Sequence, residues 1–571
     1  MDHLNKIKIA LIGGGPAALL FLKNLMDSNL SAEIIYIFEK NDRLGVGMPY
    51  GKFGSNREHV ANVSANELPD FHISFEEYLA ENPTVDFPDF TTDGKCNSYQ
   101  VIPRLLLGNY LEFLFKYYIK AAKKKGIKII AKTNSYVDDI AKTDIGNPFK
   151  ISVNKKEEYL ADKIILCTGH YWPKKHEETT IGWYDSPYPP SKFQSVSNFP
   201  IAVRGTSLTA VDAVKTHSRL NGTYETLADG QLKYTLKEGS ENFRIDMFST
   251  GGFLPALRFH SEGEAYSNDW MMSLEDIYQY KKEHNGFVDL DYVFEINFKN
   301  PLKKKDEKFY NKIKDLSIEE FVDEMMSLRR ELDSFQLFKA EYNEAEKSIR
   351  RHQSVSWKET LAAFSYAMNY PAKHFSAEDM LRLRQTLLPL ISIIIASLPQ
   401  SSYKEIIALH EAGVIDLIQV DKESFVEPHP KSGGVYNYKS TDNQQNQKHY
   451  QLYIDAIGQQ PMEVSDLPFE SLRTPQFVSS GYLSFEDKNA AISLMENKEM
   501  CVLKGDNDHY YLKVHGLEIN DYFQSLDVYG QAVDDLFIMA VPYIGGLNPD
   551  YSGLDFCDTA AGRIVSALNQ Q

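Results

Sequence analysis

The stretch that most constrains this chain runs from Ile7 to Lys40. An apolar strand, Ile7-Lys-Ile-Ala-Leu-Ile12, meets Gly13-Gly-Gly15-Pro16-Ala17-Ala18; an apolar helix follows, and a second apolar strand, Ile34 to Phe38, ends in Glu39. Each part has a physical role in gripping a dinucleotide. Gly13 permits the tight turn, Gly15 lets backbone N–H groups approach a diphosphate, and Ala18 lets helix and strand pack closely. The positive end of the helix then faces the phosphates. Glu39 stands at the spacing expected of a carboxylate that hydrogen-bonds a ribose hydroxyl. Glycine spacing alone recurs by chance; strand, turn, helix, strand and acid in this order predict a nucleotide site. The plainer reading is a glycine turn without a ligand.

With 571 residues the chain exceeds one ordinary core and predicts two or three domains. Apolar content of 43% and charged content of 25% are those of a globular enzyme. A net charge of -18 argues against nucleic-acid binding, which needs a basic face. Cys96, Cys167, Cys501 and Cys557 lie far apart and form no CxxC pair, which disfavours a metal site or a dithiol reductase. So few cysteines suit a reducing compartment, and glycines interrupt the first apolar run too early for a signal peptide, so a cytoplasmic location is expected. Gln385 to Tyr403 carries no charge and is densely apolar from Leu387 to Leu398, but Pro389 and Pro399 interrupt it. The segment is short for a bilayer and predicts a buried helix, with an interfacial helix or a dimer contact as alternatives.

Residues 41–97 read as irregular loop. A helix is predicted from Pro103 to Lys125, its basic last turn (Lys123, Lys124, Lys125) complementing the helix dipole and Gly126 closing it. Strands are predicted at Ile127 to Ala131, Phe149 to Val153 and Tyr159 to Cys167, the last leading into Gly169. A second strand, turn and helix opens at Phe199, with the turn at Gly205-Thr206-Ser207 and a following strand from Arg244 to Phe248. Two such units predict two dinucleotides held face to face. Arg204, however, stands where the first glycine of the pattern is expected, which leaves open a purely structural turn.

From Ser273 to Ala412 the periodicity is helical, with Ile318 to Phe335 and Ser354 to Tyr366 as amphipathic runs and Ser317 with Glu320 as a capping box. No catalytic constellation is evident there. His352, His374 and His410 read as isolated side chains, and Trp357 and Tyr366 as packing; the insertion as a whole is of a kind that shapes a substrate cleft. Strands return at Val414 to Val420 and His449 to Ile457. The Tyr453 to Gly458 run echoes Ile164 to Gly169, predicting the two crossovers between nucleotide domains. Leu536 to Gly546 and Gly553 to Val565 read as a buried strand, a glycine loop and a small-residue helix whose N–H groups can reach the ring end of a flavin.

Several of these motifs together resemble the bacterial FAD-NAD(P)-binding family, akin to class B flavin monooxygenases of the N-hydroxylating and Baeyer–Villiger kinds. The resemblance rests on Gly13 to Glu39, Arg43-Leu-Gly-Val-Gly-Met-Pro-Tyr50-Gly, His59-Val-Ala-Asn62-Val-Ser-Ala, Ile102-Pro-Arg104-Leu-Leu-Leu-Gly108-Asn-Tyr110-Leu, Gly205 to Asp212, and Gly252-Phe-Leu-Pro255. It is densest through Pro255, thinner near the C-terminus and thinnest in the helical middle. The fold it implies is α/β: two Rossmann-like dinucleotide-binding domains, the second inserted in the first, plus a helical insertion. The expected divisions are 1–175 and 461–571 for FAD, 195–272 and 413–460 for NAD(P), and 273–412 for the insertion.

By this resemblance Gly13, Gly15, Pro16, Ala17, Ala18, Glu39 and Lys40 surround the ADP part of FAD, with Gly169, Gly553 and Leu554 at the same cofactor. Gly205, Thr206 and Ser207 serve the nicotinamide cofactor, NADPH or NADH. Asn62 and Arg104 are candidates near the flavin or the second cofactor, or else a turn residue and a helix-start charge. Thr250 stands where relatives often carry an arginine suited to a 2′-phosphate, and Arg258 lies near enough in sequence to substitute. The activity implied is an FAD-dependent, NAD(P)H-dependent monooxygenase: hydride passes to the flavin, then one oxygen atom to a small molecule. Such chemistry needs no dedicated nucleophile, so no catalytic side chain is assigned. A reductase or dehydrogenase with a small acceptor, and a non-catalytic nucleotide-binding regulator, are the alternative readings.

Overall fold

Ile9, Ala10 and Leu11 are consecutive and all 0% exposed, which a strand achieves only when both faces of its sheet are covered. This strand, β1 (Ile7–Ile12), leads through the glycine turn into α1 (Pro16–Asp27), where Pro16 occupies a first position whose N–H has no helical partner anyway. Then follow β2 (Ala32–Phe38), α2 (Arg104–Lys124), β3 (Lys128–Lys132) and β4 (Lys163–Leu166). The structure is a computed structural model and describes residues 7–82, 86–92, 95–142, 146–262, 271–440, 444–497 and 500–570.

The chain continues with β5 (Trp183–Tyr184), β6 (Pro200–Arg204), α3 (Leu208–Asn221) and β7 (Arg244–Ser249). A helical stretch includes α4 (Ser356–Met368), α5 (Leu388–Ile395) and α6 (Gln400–Glu411), and is followed by β8 (Ile415–Gln419) and β9 (Tyr453–Asp455). The C-terminal part supplies β10 (Gln524–Leu526), β11 (Ala532–Ile538) and α7 (Gly553–Gln570). One sheet runs β10-β11-β4-β1-β2-β3, parallel except where β10 meets β11; the other runs β5-β9-β6-β7-β8 and is parallel throughout. The first sheet thus draws strands from both ends of the chain and the second from the stretch between. α1 is apolar almost all round because it packs between α2 and α7, where Lys23 pairs with Asp558 at 2.9 Å. Among the described residues no helix is long and apolar enough to cross a membrane.

The two turns are built alike. Ile12 pairs with Phe38 on one side and Leu166 on the other; Arg204 pairs likewise with Phe248 and Asp455. Gly13 N–H donates to Phe38 O at 2.9 Å and Gly205 N–H to Phe248 O at 2.7 Å. Their φ values are +112° and +117°, and a Cβ would lie 2.2 Å from Cys167 O or 2.6 Å from Ala456 O. Gly205 is therefore the first glycine of the second turn, and Arg204 is the last strand residue, equivalent to Ile12. This corrects the expectation that Arg204 displaces that glycine. The real departure is Ser207, which stands where the first turn has Gly15; Arg204 pairs with Asp455 at 3.3 Å across neighbouring strands.

The two sheets are pinned together by a buried cluster drawn from three distant motifs. Arg104, opening α2, pairs with Asp212 of α3 at 2.5 Å and donates to Val60 O at 2.9 Å. Tyr188 O–H donates to the same carboxylate at 2.7 Å. His59 accepts from Asn56 N–H through Nδ1 at 3.0 Å, so its Nε2, 3.2 Å from Asp212 O and Thr216 Oγ1, carries the proton and the ring is neutral. Burial raises the Asp212 carboxyl, but the Arg104 charge and the hydrogen bonds from Tyr188 and Arg104 outweigh it and hold it below the ordinary range.

Several expected elements divide. The Tyr159 to Cys167 strand breaks at Asp162, whose carboxylate accepts Lys8 N–H at 2.7 Å; Glu157–Ala161 joins an antiparallel sheet and only Lys163–Leu166 enters the parallel one. The His449 to Ile457 strand splits in the same way, Gln445–Tyr450 being antiparallel and β9 parallel. Residues 41–97 contain Val60–Ser64 as a strand and Phe75–Glu81 as a helix, whose capping box is Ser74 with Glu77. The apolar Gln385 to Tyr403 segment is the end of a π-helical turn (Leu383–Leu387), α5 and the start of α6, and is interrupted because Leu398 leaves the helix to exchange backbone hydrogen bonds with Ala256 and Arg258.

Replacing Asp212 by Ala leaves the Arg104 guanidinium buried without its partner and is expected to cost about 3–5 kcal/mol. Gly205→Ala is expected to cost at least about 2 kcal/mol through backbone strain and the clash with Ala456 O. Chemical denaturation of both variants checks these values, and an unchanged midpoint for either contradicts the geometry described.

Candidate functional site

The C-terminal ends of β2, β1, β4 and β11 open on one cavity of about 500 Å³, the position at which open α/β sheets bind ligands. Gly13, Gly15, Pro16 and Ala17 bring the N-terminus of α1 to it, Glu39 and Lys40 close the β2 side, and Gly169 the β4 side. Gly553, Leu554 and Cys557 bring the N-terminus of α7 to it. Glu39 is buried and accepts Gly14 N–H at 2.9 Å and Asn41 N–H at 2.8 Å. Its carboxylate thus braces the glycine turn as well as facing the cavity. Burial pushes the Cys557 thiol up to about 12, and Cys167, on the same wall, also rises, so both are protonated and unreactive.

A second cavity of about 470 Å³ adjoins the first, with Tyr50, Gly553 and Leu554 lining both. Its walls come from distant parts of the chain, among them Asn62 and Glu67, Ser207 and Leu208 at the start of α3, Glu359 to Tyr366 of α4, the end of α5, and Asp550 to Phe556. Arg258 also lines it, but its guanidinium is taken up by Glu67 at 2.5 Å and Asn62 Oδ1 at 3.2 Å. Burial pushes the Tyr50 phenol up to about 12, so this shared wall is neutral.

Of the residues singled out from the sequence, Gly13, Gly15, Pro16, Ala17, Glu39, Lys40, Gly169, Gly553 and Leu554 line the first cavity. Ala18 is fully buried behind it. Asn62 and Ser207 line the second, where Asn62 also donates to Ile395 O at 2.8 Å. Gly205 and Thr206 line neither, and Arg104 is spent in the ion pair with Asp212. Arg258 does not substitute near Thr250, since Glu67 holds it. Tyr366, expected as packing, lines the second cavity and hydrogen-bonds Thr559 Oγ1 at 2.7 Å. His374 pairs with Asp521 at 3.0 Å, His410 stacks on Phe335, and His352 caps a helix, so none of the three serves a cavity. Sequence reasoning missed Asp550 and Asp555; carboxylates around a glycine at a helix start read as caps.

Burial pushes the Asp550 carboxyl up to about 6, Ser365 O–H being its one opposing donor, and the Asp555 carboxyl up to about 7, with Glu67 and Asp558 adding repulsion. A carboxyl raised on folding contributes stability below its unfolded value and loses that contribution as pH rises through its folded value. Asp550→Asn is therefore expected to stabilise the chain by about 1–3 kcal/mol near pH 8 and by nothing near about pH 3. Thermal unfolding of variant and parent at both pH values checks this.

Residues 10–171 match the family model described as FAD-NAD(P)-binding, and residues 273–395 match that of the YdhS-like middle domain. The uncharacterised protein YdhS of Escherichia coli (strain K12) is 25% identical over 474 residues, spanning 82% of this chain and 86% of that protein. Among solved structures, the ornithine N-hydroxylase of Kutzneria sp. 744 aligns with a TM-score of 0.46 at 12% identity, covering 99% of each chain. A cyclohexanone monooxygenase from Rhodococcus sp. Phi1 bound to NADP+ aligns with a TM-score of 0.45 at 11% identity, over 99% of this chain and 83% of that one. Residues 10–171 are thus similar to the FAD-NAD(P)-binding family, and residues 273–395 to the YdhS-like middle domain.

Proposed function

We propose that this chain is an FAD-dependent oxidoreductase that uses NAD(P)H to monooxygenate a small molecule. The observation that carries the reading is the junction of the two cavities at Tyr50, Gly553 and Leu554, with one helix N-terminus of each Rossmann-like turn reaching one cavity. Two compartments sharing a wall suit a flavin in one and its reaction partners in the other.

Bound FAD supplies two-electron exchange with a nicotinamide and reactivity toward dioxygen. The protein's contribution is placement and electrostatics. The start of α1 offers backbone N–H groups and a positive dipole end to a diphosphate, on a turn braced by Glu39. The start of α7 does the same at the wall between the cavities. Ser207, opening α3, meets the phosphates of the second cofactor. The position equivalent to Glu39 in the second unit is Ser249, since Phe248 pairs with Arg204 as Phe38 pairs with Ile12. With no carboxylate there to repel a 2′-phosphate, NADPH is accepted at least as well as NADH. Tyr50 stands at the junction, and Tyr366, Phe259 and Ile394 add apolar surface to the wall of the second cavity.

The purified chain is expected to be yellow, and anaerobic NADPH to bleach it. After oxygen is admitted, oxygenated product should form in proportion to NADPH consumed. Hydrogen peroxide alone would mark a reductase or oxidase, and flavin that NADPH and NADH leave unbleached would mark a binding protein. Ser207→Asp puts another residue suited to the N-cap position there but sets a negative charge beside the phosphates; KM for NADPH should rise at least about tenfold with FAD content unchanged. Steady-state kinetics and the flavin absorbance read the two quantities.

A further inference from the structure

His374, Asp521 and Lys281 meet where the helical insertion touches the C-terminal part of the chain. His374 ends the short turn Pro371–His374, which begins just after α4, and Lys281 stands on the helix Leu274–Glu283. Asp521 lies in the loop beyond the strand Tyr510–Leu517. His374 Nε2 is 3.0 Å from Asp521 Oδ1, and His374 Nδ1 is 3.0 Å from Lys281 Nζ. A lysine ammonium only donates, so Nδ1 accepts, Nε2 carries the hydrogen donated to Asp521, and the ring is neutral. Neighbouring groups seat these three. Tyr278 O–H donates to Asp521 Oδ2 at 2.9 Å, Lys373 Nζ to Asn520 O at 2.9 Å, and Arg563 of α7 to Asp521 O at 3.2 Å. Lys373 Nζ also stands 3.9 Å from Asp521, and Glu518 acts on Lys373 from the same loop. The side chains of Lys373, His374 and Asp521 are 5%, 9% and 6% exposed, so water does little to screen them.

We propose that His374 is an acid-released latch: its neutral ring joins the helix Leu274–Glu283 and the end of α4 to the C-terminal part of the chain, and its protonation undoes the junction. A proton on Nδ1 sets an N–H against the Lys281 ammonium at 3.0 Å, with the Lys373 ammonium on the adjoining residue. One hydrogen bond becomes a repulsion between like charges, and Asp521, already shared with Tyr278 and Lys373, faces only the other side of the ring. Burial, aided by Lys281 and Lys373, holds the His374 ring below the ordinary histidine range, and a released ring returns to about 6.5. The released state therefore binds more protons, so the junction is firm above about pH 6.5 and loosens as pH falls below it. Against burial, His374, Lys373 and Tyr278 hold Asp521 well below the carboxylate range, and burial pushes Lys373 down to about 8, so both stay charged across this window. Glu518, pushed up to about 7 by burial, titrates within it with the opposite sign. α4 brings Ser365 and Tyr366 to the second cavity and α7 brings Leu554 and Phe556, so the latch ties the shape of that cavity to acidity.

The test is hydrogen–deuterium exchange of the full chain at about pH 5 and about pH 7.5, each rate corrected for its intrinsic pH dependence. Amides of Leu274–Glu283 and of 369–376 are expected to lose at least about fivefold in protection at the lower pH, and those of α1 to keep theirs. His374→Gln retains a donor and an acceptor but gains no charge, and is expected to show no such loss. Lys281→Met removes the repelling cation and is expected to shrink the loss to about twofold or less. Glu518 remains in every variant, so its titration cancels from the comparison. Undiminished protection of the parent at the lower pH overturns the inference, as does a loss in His374→Gln as large as the parent's. An equal loss in α1 marks general unfolding and overturns it too. If His374→Gln fails to fold, Lys281→Met decides, a loss there as large as the parent's overturning the inference.

Discussion

The ion pair between Arg104 and Asp212 is the constraint on which the arrangement depends, because it fixes one α/β unit against the other. A guanidinium and a carboxylate removed from water repay their desolvation only with good geometry and further hydrogen bonds. Both conditions are met: the contact is 2.5 Å, and Val60 O, Tyr188 and the neutral His59 complete the cluster. Each partner starts from a different unit, Arg104 at the head of α2 and Asp212 within α3. The same helix α3 opens onto the second cavity through Ser207, so the pair also sets how far that helix start stands from α7.

Within this frame the two turns use one device twice. A glycine at the end of a buried strand lets a carbonyl from the neighbouring crossover come against the backbone, Cys167 O in one case and Ala456 O in the other. The crossover and the turn therefore cannot shift independently, and each helix start is aimed by the strand beside it. The acids of the second cavity follow the opposite logic. Asp550 and Asp555 are held where burial raises their carboxyls above the ordinary range.

The amino acid sequence made the glycine turn, its flanking strands and the return of strand character near the C-terminus legible, because these depend on local pattern. It misplaced Arg204 by one position, since strand ends carry no mark of their own and only the pairing with Phe248 and Asp455 sets the phase. It merged strands at Asp162 and at Gln451, where a long apolar stretch changes partner from an antiparallel sheet to a parallel one. It left Arg104 between a cofactor contact and a helix-start charge, because a basic residue there suits either role; its partner lies 108 positions away. The second cavity was hidden for the same reason, being assembled from Asn62, Ser207, Tyr366 and Asp555, which share no local pattern.

The central sheet is assembled from both ends of the chain, with β1 beside β4 and β4 beside β11, and α1 packed on α7 through Lys23 and Asp558. During synthesis the glycine turn leaves the ribosome long before Gly553 to Cys557. The first cavity lacks a wall until α7 docks, so any ligand it grips is captured only after that helix has been made, and a chain without α7 would be left with an open edge.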